Sequence, residues 1–342
     1  MNVLVLTNAI DNAGDYLHRY ASLRLIGSKI DITSLKEMDR MAAGLPQNES
    51  FLEFSDIIFI PGGPSFRQNL VPNICNIPEK FWWKTALFGS GVKHRDSAPF
   101  NAPTSKFFNA SLPISVRDLT TKSIADKVAS SNNVHMTGCP VSALTPKIID
   151  DDFGAISQEG RLSIDVAISD GQAYNKGANQ VVSHLEKLIP NSTVIRHSHR
   201  NTGLEEESSV VAIGGSHEKL ISTYRSCRVH LGFRVHAHLL CLALGIPSLL
   251  IVEDERGASL ARQYGCETID LRNLLYLLKI LNRLGANTLS DFIAQKQAKN
   301  ISRKFNEIPD KIQTYSKVKD GWDAYFLDLV ETIKSRKEQR IN

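Results

Sequence analysis

The segment Phe233-Arg234-Val235-His236-Ala237-His238-Leu239-Leu240-Cys241-Leu242-Ala243-Leu244-Gly245-Ile246-Pro247 follows an apolar run, Cys227-Arg228-Val229-His230-Leu231. Apolar residues 235, 239, 242 and 243 recur at helical spacing, and Gly245 and Pro247 are the residues that end a helix. Arg234 and His236 therefore fall where a strand passes into a helix. Such a junction offers free backbone N–H groups and the positive end of a helix dipole. A guanidinium there can grip an anion bidentately, and an imidazole can move a proton near neutral pH. The same two residues in a first helical turn can also be no more than a solvated helix end.

The rest of the chain repeats the pattern. Strands are predicted at Val3–Thr7, Lys29–Leu35, Asp56–Ile60, Thr85–Gly89, Pro113–Val116 and Val134–Thr137, with helices between them, one near Tyr16–Leu25. The stretch Pro146–Gly160, with Asp150, Asp151 and Asp152, reads as a linker. Strands follow at Leu162–Ile168, Thr193–His197, Ser209–Ile213 and Ser248–Val252, and helices at Gln180–Ile189, Lys219–Ser226 and Ala258–Tyr264. Alternating strands and helices predict parallel sheets covered on both faces. The expected organisation is two Rossmann-like α/β domains facing a cleft, at residues 1–150 and 160–305. A helical region at 306–342 is expected to pack across both. Ligands of open parallel sheets sit at the carboxyl ends of the strands.

Composition narrows the function. The 342 residues suit two domains, and 42% hydrophobic with 22% charged residues is an ordered globular balance. A net charge of +4 without a basic block in the body of the chain argues against nucleic-acid binding. The basic tail from Lys334 to Arg340 reads as a frayed helix end, with weak membrane-surface contact as the lesser option. Cys75, Cys139, Cys227, Cys241 and Cys266 are scattered and fit reduced thiols rather than a disulfide frame. The N-terminus reads as a first strand rather than a signal peptide, and no apolar run reaches the roughly 18 to 20 residues of a membrane span. A cytoplasmic protein is expected.

Four strand-end loops are polar or glycine-rich. The first, Asn8–Asp15, carries Asn12 and Asp15, either of which can cap a helix or bond sugar hydroxyls. The second is Pro61-Gly62-Gly63-Pro64-Ser65 and the third Gly89-Ser90-Gly91-Val92-Lys93-His94. The third lacks the last glycine of a dinucleotide fingerprint and the acidic residue that should follow it. The fourth brings Arg117 and Asp118 to a strand end. Two arginines facing one cleft would suit an anion with more than one charged group, although an Arg117–Asp118 surface pair is the plainer alternative. The pairs His197/His199 and His236/His238 have i, i+2 spacing and point apart on a helix, so no metal site is expected.

Together these loops resemble the polysaccharide pyruvyl transferase family. The resemblance rests on Asn12-Ala13-Gly14-Asp15, Ile60-Pro61-Gly62-Gly63, Gly89-Ser90-Gly91, Arg117-Asp118 with Ser123, Gly138-Cys139-Pro140, and Arg234-Val235-His236-Ala237 through Gly245-Ile246-Pro247. This chain has Phe233 where the family has a small or polar residue, Val235 for leucine, and two glycines, not three, at 62 and 63. The resemblance implies a fold like that of B-type glycosyltransferases. It implies transfer of the enolpyruvyl carbons of phosphoenolpyruvate onto a sugar of a surface polysaccharide or its lipid-linked or nucleotide-linked precursor, as a pyruvate ketal. Phosphoenolpyruvate is then a co-substrate and no cofactor is needed. Arg117, Arg234, Val235 and His236 are expected at the donor, with His236 as general acid and His135 or His94 as the base. Asn12, Asp15, Gly62, Gly63 and Ser65 are expected at the acceptor. The competing readings are a nucleotide-sugar glycosyltransferase of the same fold and a non-catalytic carbohydrate-binding relative.

Overall fold

The structure is a computed structural model describing residues 1–7, 13–63, 66, 69–71, 73, 75–92, 100–129, 133–154, 164–172, 175–197, 210–212, 216–306 and 316–341. Two compact units emerge. One comprises Met1–Ala9, His18–Ala143 and Tyr315–Asn342, the other Ile10–Leu17 and Leu144–Thr314.

In chain order the first elements are β1 (Asn2–Thr7), α1 (Ala13–Lys29), β2 (Ser34–Asp39), α2 (Glu49–Phe54), β3 (Ile57–Gly63), β4 (Thr85–Ser90), α3 (Ala102–Ala110), β5 (Ile114–Val116), α4 (Leu119–Val128) and β6 (Val134–Met136). The six strands form a parallel sheet in the order β2-β1-β3-β4-β5-β6, so the order reverses between β1 and β3. Ile57-Ile58-Phe59-Ile60 is an unbroken apolar run and is wholly buried, as a strand covered on both faces must be. Leu4, Leu6, Ile60, Leu87, Phe107 and Phe108 belong to this unit's core. Asn101 caps α3 and Asp118 caps α4, each accepting from a backbone N–H three residues on.

The strand expected at Lys29–Leu35 lies later. Ile26 and Ile30, both buried, carry the helix past Leu25 to Lys29, and the strand itself runs Ser34–Asp39. As an edge strand it is mostly exposed, so it lacks the apolar run that marks its neighbours.

The second unit contains α5 (Pro146–Phe153), β7 (Ile164–Ser169), α6 (Lys176–Leu188), β8 (Ser192–Arg196), β9 (Val210–Ala212), α7 (His217–Arg225), β10 (Cys227–Gly232), α8 (Val235–Ala243), β11 (Ser248–Val252), α9 (Glu255–Tyr264), β12 (Thr268–Asp270), α10 (Arg272–Arg283) and α11 (Asn287–Asn306). Its parallel sheet runs β12-β11-β10-β7-β8-β9. Here the order reverses between β7 and β10, which makes the carboxyl ends of those two strands the switch point of the sheet. Ile168, Val181, Leu185, Leu231 and Leu249 are among its core residues.

The stretch read as a linker is helical over Pro146–Phe153. Thr145 caps it, Pro146 opens it, Ile149 is fully buried, and Asp150 pairs with Arg225. Its turn-like composition is the composition of a capped helix start with an exposed acidic face.

The last helix, α12 (Ser316–Ile341), belongs to the first unit. Trp322, Tyr325 and Phe326 pack their rings against Phe88 of β4. The basic tail is not frayed. Arg336 donates to the carbonyls of Trp83, Ala110 and Ser111, and Lys337 pairs with Asp56. Among the described residues no helix is long and apolar enough to cross a membrane.

Candidate active site

At the switch point of the second sheet, β7 ends in Ser169 and is followed by Asp170-Gly171-Gln172, while β10 ends in Gly232 and is followed by Phe233-Arg234. Arg234 stands at the N-cap position of α8 in an extended conformation, and α8 has no side-chain cap. The first turn of a helix is where backbone N–H groups and the helix dipole favour an anion. Arg234 Nε donates to Asp170 Oδ1 at 2.8 Å, and Nη2 donates to the Gly171 carbonyl at 2.7 Å. These bonds orient the guanidinium and use two of its five N–H donors; the other three have no partner among the described residues. Burial works against the Arg234 charge, but the facing Asp170 carboxylate, helped by Glu253, outweighs it and raises the pKa above the ordinary arginine value.

A chain of hydroxyls and imidazoles holds this arrangement from behind. Arg234 N donates to Ser169 Oγ at 3.1 Å, and Ser169 Oγ bonds His230 Nε2 at 3.0 Å. His230 Nδ1 and His238 Nδ1 each lie 2.7 Å from Ser248 Oγ. On the other side, His197 N donates to Asp170 Oδ1 at 3.3 Å, and His197 Nε2 bonds the Tyr224 hydroxyl at 2.7 Å. Burial pushes the His238 pKa down to about 3. Burial also holds His230 and His197 well below the usual histidine value, with the Arg234 charge adding to the effect on His197. Burial thus favours the neutral form of all three imidazoles.

His236 lies in the first turn of α8 and is half-buried, whereas His238 points into the core, so the i, i+2 pair diverges. Val235 is half-buried and packs on the small cluster formed by Leu250, Val252 and Ala258. After β11, Glu253 accepts from Asn175 Nδ2 at 3.0 Å and from Gln172 N at 3.4 Å. Burial raises its carboxyl pKa, and Arg234 opposes that rise only in part.

In the first unit, Arg117 follows β5 and is 6% exposed. Its Nε donates to Asp118 Oδ2 at 3.2 Å and its Nη2 to the Val92 carbonyl at 3.4 Å. A buried pair replaces the surface pair that was the plainer alternative. Gly91 makes room for it, because a Cβ there would lie 2.1 Å from Arg117 Nε. The His18 ring of α1 sits as close to Gly62, where a Cβ would fall 2.1 Å from the ring. Burial, with the Arg117 charge behind it, lowers the His18 pKa to about 3.

Of the other expected residues, Asp15 lies in the first turn of α1 and Gly63 closes β3, paired in register with Ser90. Asn12, Ser65 and His94 lie outside the described residues. His135 bonds Asp328 of α12 at 2.6 Å. Sequence reading missed Asp170, Ser169, His230 and His18. An acidic residue before a glycine at a strand end, Asp170-Gly171, was the one local signal available for them.

Two doubly wound parallel α/β units define the class: a fold like that of B-type glycosyltransferases. Solved structures share it. A UDP-GlcNAc 2-epimerase from Methanocaldococcus jannaschii in complex with UDP-GlcNAc and UDP is 10% identical, with 82% of this chain and 92% of that chain covered at a TM-score of 0.51. A putative UDP-N-acetylglucosamine 2-epimerase from Listeria monocytogenes is 12% identical, with 99% and 97% covered at 0.51. The MnaA–UDP structure from S. aureus is 11% identical, with 92% and 100% covered at 0.50. At such identities the likeness is one of fold. No curated protein matches the chain in sequence. The chain belongs to the polysaccharide pyruvyl transferase family, whose pattern matches residues 12–255. It is thus a member of a transferase family of polysaccharide biosynthesis.

Proposed function

We propose that this chain transfers the enolpyruvyl carbons of phosphoenolpyruvate to a sugar of a surface polysaccharide or its precursor, forming a cyclic pyruvate ketal. The observation that supports it best is Arg234, fixed by Asp170 and Gly171 at the start of α8, with three donors that have no partner among the described residues. A phosphate or carboxylate is the group such a seat prefers. Arg117 is assigned to the donor as well, on the family resemblance, and Val235 and His236 complete the donor set.

In this mechanism His236 gives a proton to the C3 methylene of the donor, which becomes a methyl group. Positive charge develops at C2, and a sugar hydroxyl oxygen bonds there. The C2–O bond to phosphate breaks, a second hydroxyl closes the ring, and phosphate leaves. Of the two hydroxyl protons released, one restores His236 and the other departs with phosphate. Asn12, Asp15, Gly62, Gly63 and Ser65 are assigned to the acceptor. Phosphoenolpyruvate serves as co-substrate, the transfer calls on no further cofactor, and it takes place in the cytoplasm.

The test is phosphate release from phosphoenolpyruvate across a panel of saccharide acceptors, with the ketal methyl group observed by NMR. Release that needs an acceptor, and falls about 10²–10⁴-fold in His236→Asn, supports the reading. Release from no acceptor, with turnover of a UDP-sugar instead, would assign the chain to the glycosyltransferases.

A further inference from the structure

The helical hairpin of α10 and α11 lies beyond the stretch that matches the family pattern. Its inner faces pack Leu275, Leu278, Ala294, Ala298 and Ile301 into the second unit's core. Its outer faces are apolar too. Tyr276, Ile280 and Leu284 recur every four residues along α10 and form one exposed stripe. Leu284 is 76% exposed and Phe292 of α11 is 62% exposed. Six of the twelve exposed large apolar side chains among the described residues fall between residues 276 and 292. Such clustering marks an interaction surface, since scattered exposed apolar residues need no explanation.

Charge identifies the occupant. Residues 272–306 hold seven basic residues and one acidic residue, Asp291, a net charge of +6. The whole chain carries +4, so everything outside the hairpin is net −2. Lys279 and Arg283 run one turn apart beside the α10 stripe, and Lys296, Lys299 and Arg303 continue the exposed face of α11 that begins at Leu289 and Phe292. These five cations make no ion pair among the described residues. An exposed apolar stripe rimmed by cations is the pattern that seats on an anionic bilayer: the apolar side chains enter the headgroup boundary and the cations meet lipid phosphates.

We propose that the outer face of the α10–α11 hairpin docks the protein on an anionic phospholipid surface. The inference does not depend on the proposed activity. It is tested by co-sedimentation of the full chain with vesicles of phosphatidylglycerol and phosphatidylcholine, and with vesicles of phosphatidylcholine alone, at low salt and at about 0.5 M salt. Two variants accompany the wild type, Leu284→Asp/Phe292→Asp and Lys279→Glu/Arg283→Glu. Circular dichroism and thermal midpoint check each fold.

The expected result is binding to the anionic vesicles at least tenfold above the neutral ones. It weakens with salt and drops about tenfold or more in each variant. A wild type that stays in the supernatant, equal binding to neutral vesicles, or binding that survives in a folded variant overturns the proposal. So does concentration-dependent self-association lost in Leu284→Asp/Phe292→Asp, which would assign the face to a second copy. Binding to duplex DNA with the same sensitivity and none to vesicles would overturn it too.

Discussion

Asp170 Oδ1 accepts a 2.8 Å hydrogen bond from Arg234 Nε, across the two strands where the sheet order reverses, and Asp170 has no solvent exposure. Its Oδ2 finds no hydrogen-bond partner among the described residues. The carboxylate therefore depends on Arg234 for its compensation, and Arg234 depends on the carboxylate for its direction. A buried ion pair of this kind is weak evidence for net stability, but breaking it from one side is costly.

Arg234→Ala is accordingly expected to destabilise the fold by about 3–5 kcal/mol, because it strands the buried Asp170 charge. Adding Asp170→Asn should recover much of that loss, because the orphaned charge is gone. Urea denaturation of the two variants measures both steps. Recovery of stability without recovery of donor binding separates the two roles of Arg234.

Ser169→Ala removes the acceptor for Arg234 N and the hydroxyl that meets His230 Nε2. The expected cost is about 1–3 kcal/mol of stability for the buried groups left unpaired. The donor KM should rise severalfold as the start of α8 loosens, while Ser169→Thr, which keeps the hydroxyl, should lie closer to wild type. Steady-state kinetics against donor concentration decides it, and an unchanged KM in Ser169→Ala would remove the positioning role.

Acid should weaken the fold through two buried histidines. His18 and His238 have folded pKa values of about 3, against an ordinary value of 6.5. The unfolded chain binds their protons first, so stability is complete above about pH 6.5 and is lost as pH falls toward 3. Each contributes about 2 kcal/mol of loss by pH 5. Stability measured by urea at pH 7 and pH 5 should show this fall, with a shallower slope in His238→Asn. An identical slope in that variant would contradict the assignment.

Gly62→Ala should destabilise by about 1–3 kcal/mol, since the new methyl group overlaps the buried His18 ring. His18 is buried, at 5% exposure. His18→Ala/Gly62→Ala should be less damaged than the two separate losses added together. Thermal denaturation of the three variants gives the coupling, and simple additivity would mean that ring and glycine do not interact.

Strands were legible wherever an apolar run is unbroken. Ser248–Val252 has the expected bounds, and β3 and β4 lie within two or three residues of theirs. The edge strand β2 was displaced because its exposed residues carry no such run. Helix α10 was not recognised, although Arg272, Lys279 and Arg283 fall on one side of it and Leu275 and Leu278 on its buried side. The helical period was therefore present in the sequence there. At the site, Arg234 and His236 were legible from a local strand-to-helix pattern. Asp170 was not, because it lies 64 residues away and meets Arg234 only through the adjacency of β7 and β10. His18 is hidden for the same reason, brought to Gly62 by packing rather than by any local pattern.

Calorimetric titration of phosphoenolpyruvate into the wild type and into Arg234→Ala/Asp170→Asn tests the central claim most directly, with a UDP-sugar run beside it. The expected result is binding of phosphoenolpyruvate by the wild type, weakened about tenfold to a hundredfold in the double variant, the worth of one charge-assisted contact. Binding of phosphoenolpyruvate that the double variant leaves unchanged, or binding of the UDP-sugar alone, would contradict it.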